Sequence, residues 1–245
     1  MRIAIVSDIH GNLTAFEAVI ADLRETAPDI ILHGGDLAAS GSSACAIVDR
    51  VRDLGWAGVV GNADEMLFDP GKLKEFAEQS AGFKPFYGIV AEMAGAARAM
   101  LGEERIAWLR GLPAVQTLDG VALVHATPGD AWRAPSAEAS DEELVSAFES
   151  LGQPIAVYAH IHRSFIRKTP RMTVANTGSV SLSYDGDRRA AYLLIDGSDV
   201  SIRRVEYDVA REIALLQESG LPHWDWIAKT IESGSFQMPS SDSGQ

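Results

Sequence analysis

The chain has 245 residues, 47% of them hydrophobic, enough to close one large core. Its formal charge is -13 with a pI near 4.8, the reverse of the balance by which a non-specific nucleic-acid binder neutralises phosphates. No apolar run approaches the roughly 18 residues of a membrane span, and the single cysteine, Cys45, excludes an intrachain disulfide. The opening MRIAIVSDIH enters strand-like sequence at once, without the charged, apolar and cleavage segments of a secretory leader, so a soluble cytoplasmic protein is expected.

Residues 2–6 (RIAIV) read as a strand and 13–26 as a helix capped by Asn12 or Thr14. A strand over 29–33 (DIILH), a helix over 42–54 and a strand over 57–60 follow. This rhythm implies a parallel sheet with right-handed crossovers, whose carboxyl-end loops gather on one edge. Residues 70–112 are alanine-rich and helical in spacing, with Phe76, Phe83, Phe86 and Tyr87, and predict a helical insertion beside the site. Strands at 114–118 and 121–125 are joined by Asp119-Gly120, a hairpin signal. A helix at 141–151 precedes strands near 155–159, 163–168, 171–175, 189–195 and 199–206, the last two joined by Asp196-Gly197. Helices at 208–219 and 222–232 close the chain. A parallel half followed by an antiparallel-rich half predicts two stacked sheets flanked by helices. They form one domain over 1–233, with a loose tail at 234–245.

The polar residues fall in a pattern. Asp8 and His10 follow RIAIV, Asp36 follows DIILHGG, and Asn62 follows GVVG. His125 ends GVALV, while His160 and His162 follow IAVYA. Any one of these taken alone is more often a turn, a cap or a hydrogen-bonded histidine. Repetition at strand ends is what those readings explain badly, since only His33 and His223 of the six histidines fall outside the set. Carboxylate oxygen mixed with neutral imidazole suits Mn, Fe, Ni, Co or Zn, whereas Mg and Ca prefer oxygen alone. Bound cations would also let an acidic protein accept a phosphate. No phosphate-binding glycine loop, G-x-S-x-G elbow or H-E-x-x-H pair competes.

Together, D-x-H (Asp8, His10), G-D (Gly35, Asp36), G-N (Gly61, Asn62), His125 and H-x-H (His160, His162) resemble the calcineurin-like metallophosphoesterases. DIHGN, GNAD, VHATP and NTGSV look like their small bacterial and archaeal phosphodiesterase branch. The resemblance spans residues 3–182 in order and implies an α/β fold, a four-layer α/β/β/α sandwich of two mixed sheets. It further implies two divalent transition metals, Mn favoured. Asp8, His10 and His162 would hold the first, Asn62, His125 and His160 the second, and Asp36 would bridge them. Asp36 and Asn62 thereby count among the catalytic residues too. A hydroxide bridging the metals would then hydrolyse a small phosphoester or nucleotide, dinucleoside polyphosphates and cyclic nucleotides included.

The sequence departs from the family pattern where a histidine often follows G-N to assist the leaving group. Here that position is Ala63, so leaving-group protonation is expected from water, from another residue such as Asp64 or Asp130, or not at all. Alanine replaces glycine in A-H-I-H at Ala159, and N-T-G-S stands at Asn176 to Ser179. Arg163, directly after His162, is placed to meet a substrate phosphate or to stand solvated. The missing imidazole keeps a rival reading open, a non-catalytic scaffold that retains the fold, and a nuclease is a third.

Overall fold

A computed structural model of the chain describes residues 1–79 and 84–239. Strands are numbered β1–β10 and helices α1–α8 in chain order. The first sheet joins β1 (Arg2–Val6), β2 (Ile30–His33), β3 (Ala57–Gly58), β9 (Ala190–Asp196) and β10 (Asp199–Val205) in the order β10-β9-β1-β2-β3. The β1, β2 and β3 strands run parallel, and β9 and β10 add antiparallel neighbours. The second sheet has the order β4-β5-β6-β8-β7, from β4 (Val115–Leu118), β5 (Val121–Val124), β6 (Ile155–Tyr158), β7 (Phe165–Lys168) and β8 (Thr173–Asn176). In it β5, β6 and β8 are parallel, and β4 and β7 are antiparallel edges.

The alternation of strand side chains produces the layers. Ile3 and Ile5 of β1 meet Leu123, Ile155 and Val157 of the other sheet in an apolar seam between the sheets. Ala4 and Val6 point the opposite way, into a core shared with α1 (Leu13–Thr26) and α2 (Ala44–Leu54). Val124, Ala156 and Val174 likewise pack outward on Leu144, Val145 and Phe148 of α6 (Asp141–Phe148). The result is the expected sandwich, helices outside two mixed sheets.

Three elements differ from expectation. The third strand, expected over 57–60, ends at Gly58, and Asn62 opens a further helix, α3 (Asn62–Phe68). Asp64 and Glu65 in its first turn complement the positive helix start, and Met66 and Leu67 supply the buried face, so the signal was present. The strand expected from 163 begins at Phe165, because His160 and His162 occupy left-handed backbone in the preceding loop. The predicted helical segment forms α4 (Pro70–Gln79) and α5 (Lys84–Arg110), kinked at Gly102; Phe83 lies outside the described residues.

The chain closes with α7 (Val209–Glu218) and α8 (Trp224–Ser233). The start of the expected loose tail is docked: Trp226 Nε1 donates to Gln237 O at 2.6 Å, and Phe236 packs edge-on to Phe86 and Tyr184. Among the described residues no helix is long and apolar enough to cross a membrane.

Candidate metal centre

Every residue of the strand-end set reaches one edge of the sandwich. Asp8 and His10 follow β1, Asp36 follows β2, and Asn62 starts the helix after β3. His125 follows β5, and His160 and His162 follow β6. Parallel pairing within each sheet brings these carboxyl ends to the same side.

Asp8, His10, Asp36 and His162 are buried and can each offer an atom within 4.8 Å of the others. His10 Nδ1 donates to Ala39 O at 3.1 Å, and His162 Nδ1 donates to Leu182 O at 2.6 Å. A carbonyl only accepts, so each ring spends its proton at Nδ1 and turns a lone pair outward at Nε2. The two Nε2 atoms nevertheless stand 3.3 Å apart. Asp8 Oδ1, buried and without a hydrogen-bond partner, lies 3.1 Å from His162 Nε2. Asp36 Oδ2 lies 3.6 Å from His10 Nε2. A proton between the rings would charge one of them, and burial lowers the affinity of His10 for it. Converging lone pairs of this kind fit a cation, and imidazoles oriented by carbonyls at the opposite nitrogen are the usual form of a metal ligand.

A second set adjoins the first. Asn62 Oδ1 lies 2.9 Å from His125 Nε2 and 2.8 Å from His160 Nδ1. His125 spends its Nδ1 proton on Gly34 O at 2.7 Å, so its Nε2 also faces an acceptor. Asp36 stands between the sets, with Oδ1 3.5 Å from His125 Nε2 and accepting from the Ala63 amide at 2.8 Å.

The electrostatics agree. Burial would raise the Asp8 carboxyl, but His162, His125 and His10 outweigh it and hold it well below the usual carboxylate range. Burial pushes His160 down to about 3, keeping that ring neutral. For His125 burial is overcome by Asp36 and Asp8, which raise the imidazole: the pocket attracts positive charge.

The backbone is bent to this arrangement. Asp8, His10, Asp36, His160 and His162 have φ of 53°, 47°, 55°, 65° and 55°. Non-glycine residues adopt this left-handed region rarely and at some cost, and such positions cluster at functional sites. Ser7 Oγ donates to Asp8 Oδ2 at 2.6 Å, and Ser179 Oγ donates to Asp8 O at 2.8 Å. Asn176 Nδ2 reaches Ala159 O at 2.6 Å, so the NTGS segment ties the Asp8 loop to the loop carrying His160 and His162.

Three residues named from the sequence stand elsewhere. Asp64 is wholly buried, and its oxygens accept from the amides of Asp36 (2.8 Å), Leu37 (2.9 Å) and Gly61 (3.2 Å). It braces the Asp36 loop from behind, away from the cavity, and burial aided by the Asp36 charge pushes it up to about 7. Arg163 projects outward, about half exposed, and pairs with Glu138 at 3.3 Å. Asp130, the other suggested acid, caps a turn at the Trp132 amide and pairs with Arg133. Tyr184, which no sequence pattern singles out, stacks on His162 with ring centroids 4.5 Å apart. His33 is fully buried against Trp108, outside the set.

Fold and site together define a phosphoesterase-type sandwich with an acidic, histidine-rich edge. A model of the calcineurin-like phosphoesterase superfamily domain matches residues 1–199, and the chain belongs to that family. Protein MJ0912 of Methanocaldococcus jannaschii, an uncharacterized protein, is 27% identical over 245 residues, covering 91% of this chain and 94% of that one. A metallophosphoesterase structure from Sphaerobacter thermophilus shares the fold, with a TM-score of 0.78, 24% identity and coverage of 96% of this chain and 100% of that chain. A symmetrical bis(5'-nucleosyl)-tetraphosphatase of Pectobacterium carotovorum is 31% identical over 160 residues, 63% of this chain and 53% of that protein.

Proposed function

We propose that this protein is a metal-dependent phosphoesterase acting on phosphodiesters. In this reading Asp8, His10, Asp36 and His162 hold one divalent cation, and Asn62, His125 and His160, sharing Asp36, hold a second. The observation that carries it is the pair of Nε2 atoms of His10 and His162, 3.3 Å apart with both protons spent on carbonyls, beside an unpartnered Asp8 oxygen. A cation between such groups offsets their mutual repulsion. The mixed oxygen and imidazole donors favour Mn, with Fe, Co, Ni or Zn as alternatives, over Mg or Ca.

When bound, the cations would supply positive charge for a phosphoryl group and lower the pKa of a water ligand. The remaining work belongs to the chain. Asp36, fixed by the Ala63 amide, keeps the two donor sets in register. The cavity beside the site is lined at this point by Ala63, which offers no proton to a leaving group. Esters whose leaving groups need little protonation, such as aryl diesters, are therefore the preferred substrates, and alkyl monoesters the poor ones. The site and the superfamily membership support this assignment over a scaffold, which has no use for seven converging donors.

The test is elemental analysis of protein purified without chelator, joined to an assay on bis(p-nitrophenyl) phosphate with each metal. Two metals per chain and turnover lost in Asp36→Asn support the proposal. A metal-free protein that gains no esterase activity with any divalent metal would overturn it in favour of the scaffold. Faster hydrolysis of alkyl monophosphates than of aryl diesters would refute the substrate preference.

A further inference from the structure

The site opens into a cavity of about 270 Å³ whose far wall is aromatic. Leu73 and Phe76 of α4, Phe86 and Tyr87 of α5, and Trp226 of α8 face it. Phe236 and Trp132 extend that wall toward solvent. These rings brace one another. Phe86 meets Trp226 edge-on at 5.5 Å and Phe236 at 5.9 Å, while Phe76 lies 5.3 Å from Trp132. The wall is thus assembled from four separate segments around an apolar space, which a metal site alone does not require.

Charge is the other half of the argument. No lysine or arginine stands among the described residues lining the cavity. Arg133 reaches the Phe76 ring, 5.2 Å from its centroid, but it lines the neighbouring hollow and is engaged by Asp130. Of the polar groups beyond the metal donors, the Thr230 hydroxyl is committed to Trp226 O, and Ser40, Tyr87 and Tyr184 bring hydroxyls, which carry no charge to offset a phosphate. A phosphate at the metal site would be neutralised by the cations. Further phosphates extending from it would enter an apolar space where none of the described lining residues offers a cation, at a large desolvation cost.

We infer that the cavity selects a phosphoester whose second organic group is an uncharged, apolar ring, carried on a single phosphate, and that it disfavours dinucleoside polyphosphates. The inference rests on the phosphoesterase reading above and specifies its substrate. The size supports it, since about 270 Å³ accommodates one ring-bearing group and lies below the roughly 300–1,000 Å³ of pockets for larger ligands. In the hydrolysis of such a diester a water oxygen bonds to phosphorus. The bond from phosphorus to the departing aryl oxygen breaks, and the electron pair leaves with the phenolate.

The experiment compares phenyl p-nitrophenyl phosphate with methyl p-nitrophenyl phosphate, which share a leaving group and differ only in the second ester. With metal-loaded full-length protein, kcat/KM is expected to be at least tenfold higher for the phenyl ester, and Phe86→Ala to reduce that ratio to threefold or less. Phe86→Leu keeps the apolar bulk without the ring, and serves if the alanine variant does not fold. Diphenyl phosphate, titrated calorimetrically into the same protein, is expected to bind at least tenfold more tightly than diadenosine tetraphosphate. Equal rates on the two nitrophenyl esters, or equal or better use of diadenosine tetraphosphate, would overturn the inference while leaving the phosphoesterase reading intact. Tight diphenyl phosphate binding without hydrolysis of any ester by any metal form would overturn the phosphoesterase reading, and with it the choice of substrate.

Discussion

A β-carbon added to Gly61 would stand 2.0 Å from Asp36 Oδ1, so the residue before Asn62 has a side chain only as large as Asp36 permits. Gly61 itself has φ of -100°, an ordinary extended value. Its glycine is demanded by the approach of the carboxylate. Gly35, with φ of 87°, closes the same contact from the other loop. The Asp36 and Asn62 loops thus meet backbone to backbone at these two glycines.

Gly61→Ala is therefore expected to displace Asp36 without unfolding the chain. Metal content should fall by at least one equivalent and esterase turnover at least a hundredfold, while far-ultraviolet circular dichroism stays native. Retention of both metals with full turnover would show that the carboxylate has room to move.

Chelation should destabilise the protein, because without a cation the lone pairs of His10, His162 and Asp8 face one another. A ligand present at a thousand times its dissociation constant stabilises by about 4 kcal/mol. For a chain of this size that corresponds to a fall in Tm on the order of 10 °C. Scanning calorimetry with and without chelator measures it, and an unchanged Tm would count against bound metal.

Asp64→Asn separates support from catalysis. The amide keeps one acceptor but turns an NH₂ toward backbone amides that the carboxylate had accepted. A loss of about 1–3 kcal/mol in unfolding free energy is expected from the buried mismatch. The pH profile of turnover should keep its limbs, since the carboxyl faces backbone amides and does not line the cavity. Loss of one limb would restore Asp64 as a proton donor.

Arg163→Ala should leave kcat/KM for an aryl diester within twofold of the parent. The guanidinium is exposed and paired with Glu138, and such pairs contribute little. A tenfold rise in KM would place it on the substrate after all.

His33 supplies a pH test remote from the metal donors. Both ring nitrogens are buried without partners, and burial pushes the imidazole down to about 4 from 6.5. Between these values the unfolded chain binds the proton and the folded chain does not, so stability falls as pH drops from 6.5 toward 4. The full penalty is on the order of 3 kcal/mol. His33→Leu should therefore lose much of this acid sensitivity, with its advantage over the parent larger at pH 5 than at pH 7.5. Parallel denaturant midpoints at the two pH values would contradict the assignment.

The sequence went further with donors than with their surroundings. Asp8, His10, Asp36, Asn62, His125, His160 and His162 were legible because each follows an apolar run, and parallel strands deliver their carboxyl ends to one edge. Asp64, offered as a leaving-group acid two residues after Asn62, faces the Asp36 loop and not the cavity. On a helix two residues are turned about 200° apart, so the residue beside a donor faces the opposite way. Adjacency to His162 along a loop could not choose between the two places open to Arg163, beside a phosphate or in solvent, and the structure pairs it with Glu138.

What the sequence determined by itself was the chemistry on offer and the layered α/β plan, because alternation of apolar residues and strand-end polar groups are local properties. Tertiary structure decided which lone pairs meet and which carboxylate turns inward. It also decided that Phe76, Phe86, Trp226 and Phe236, spread over 161 positions, share one wall. Those outcomes depend on strand order, left-handed loop residues and helix rotation. Their energies come from contacts between segments distant in the chain, and no local pattern encodes them.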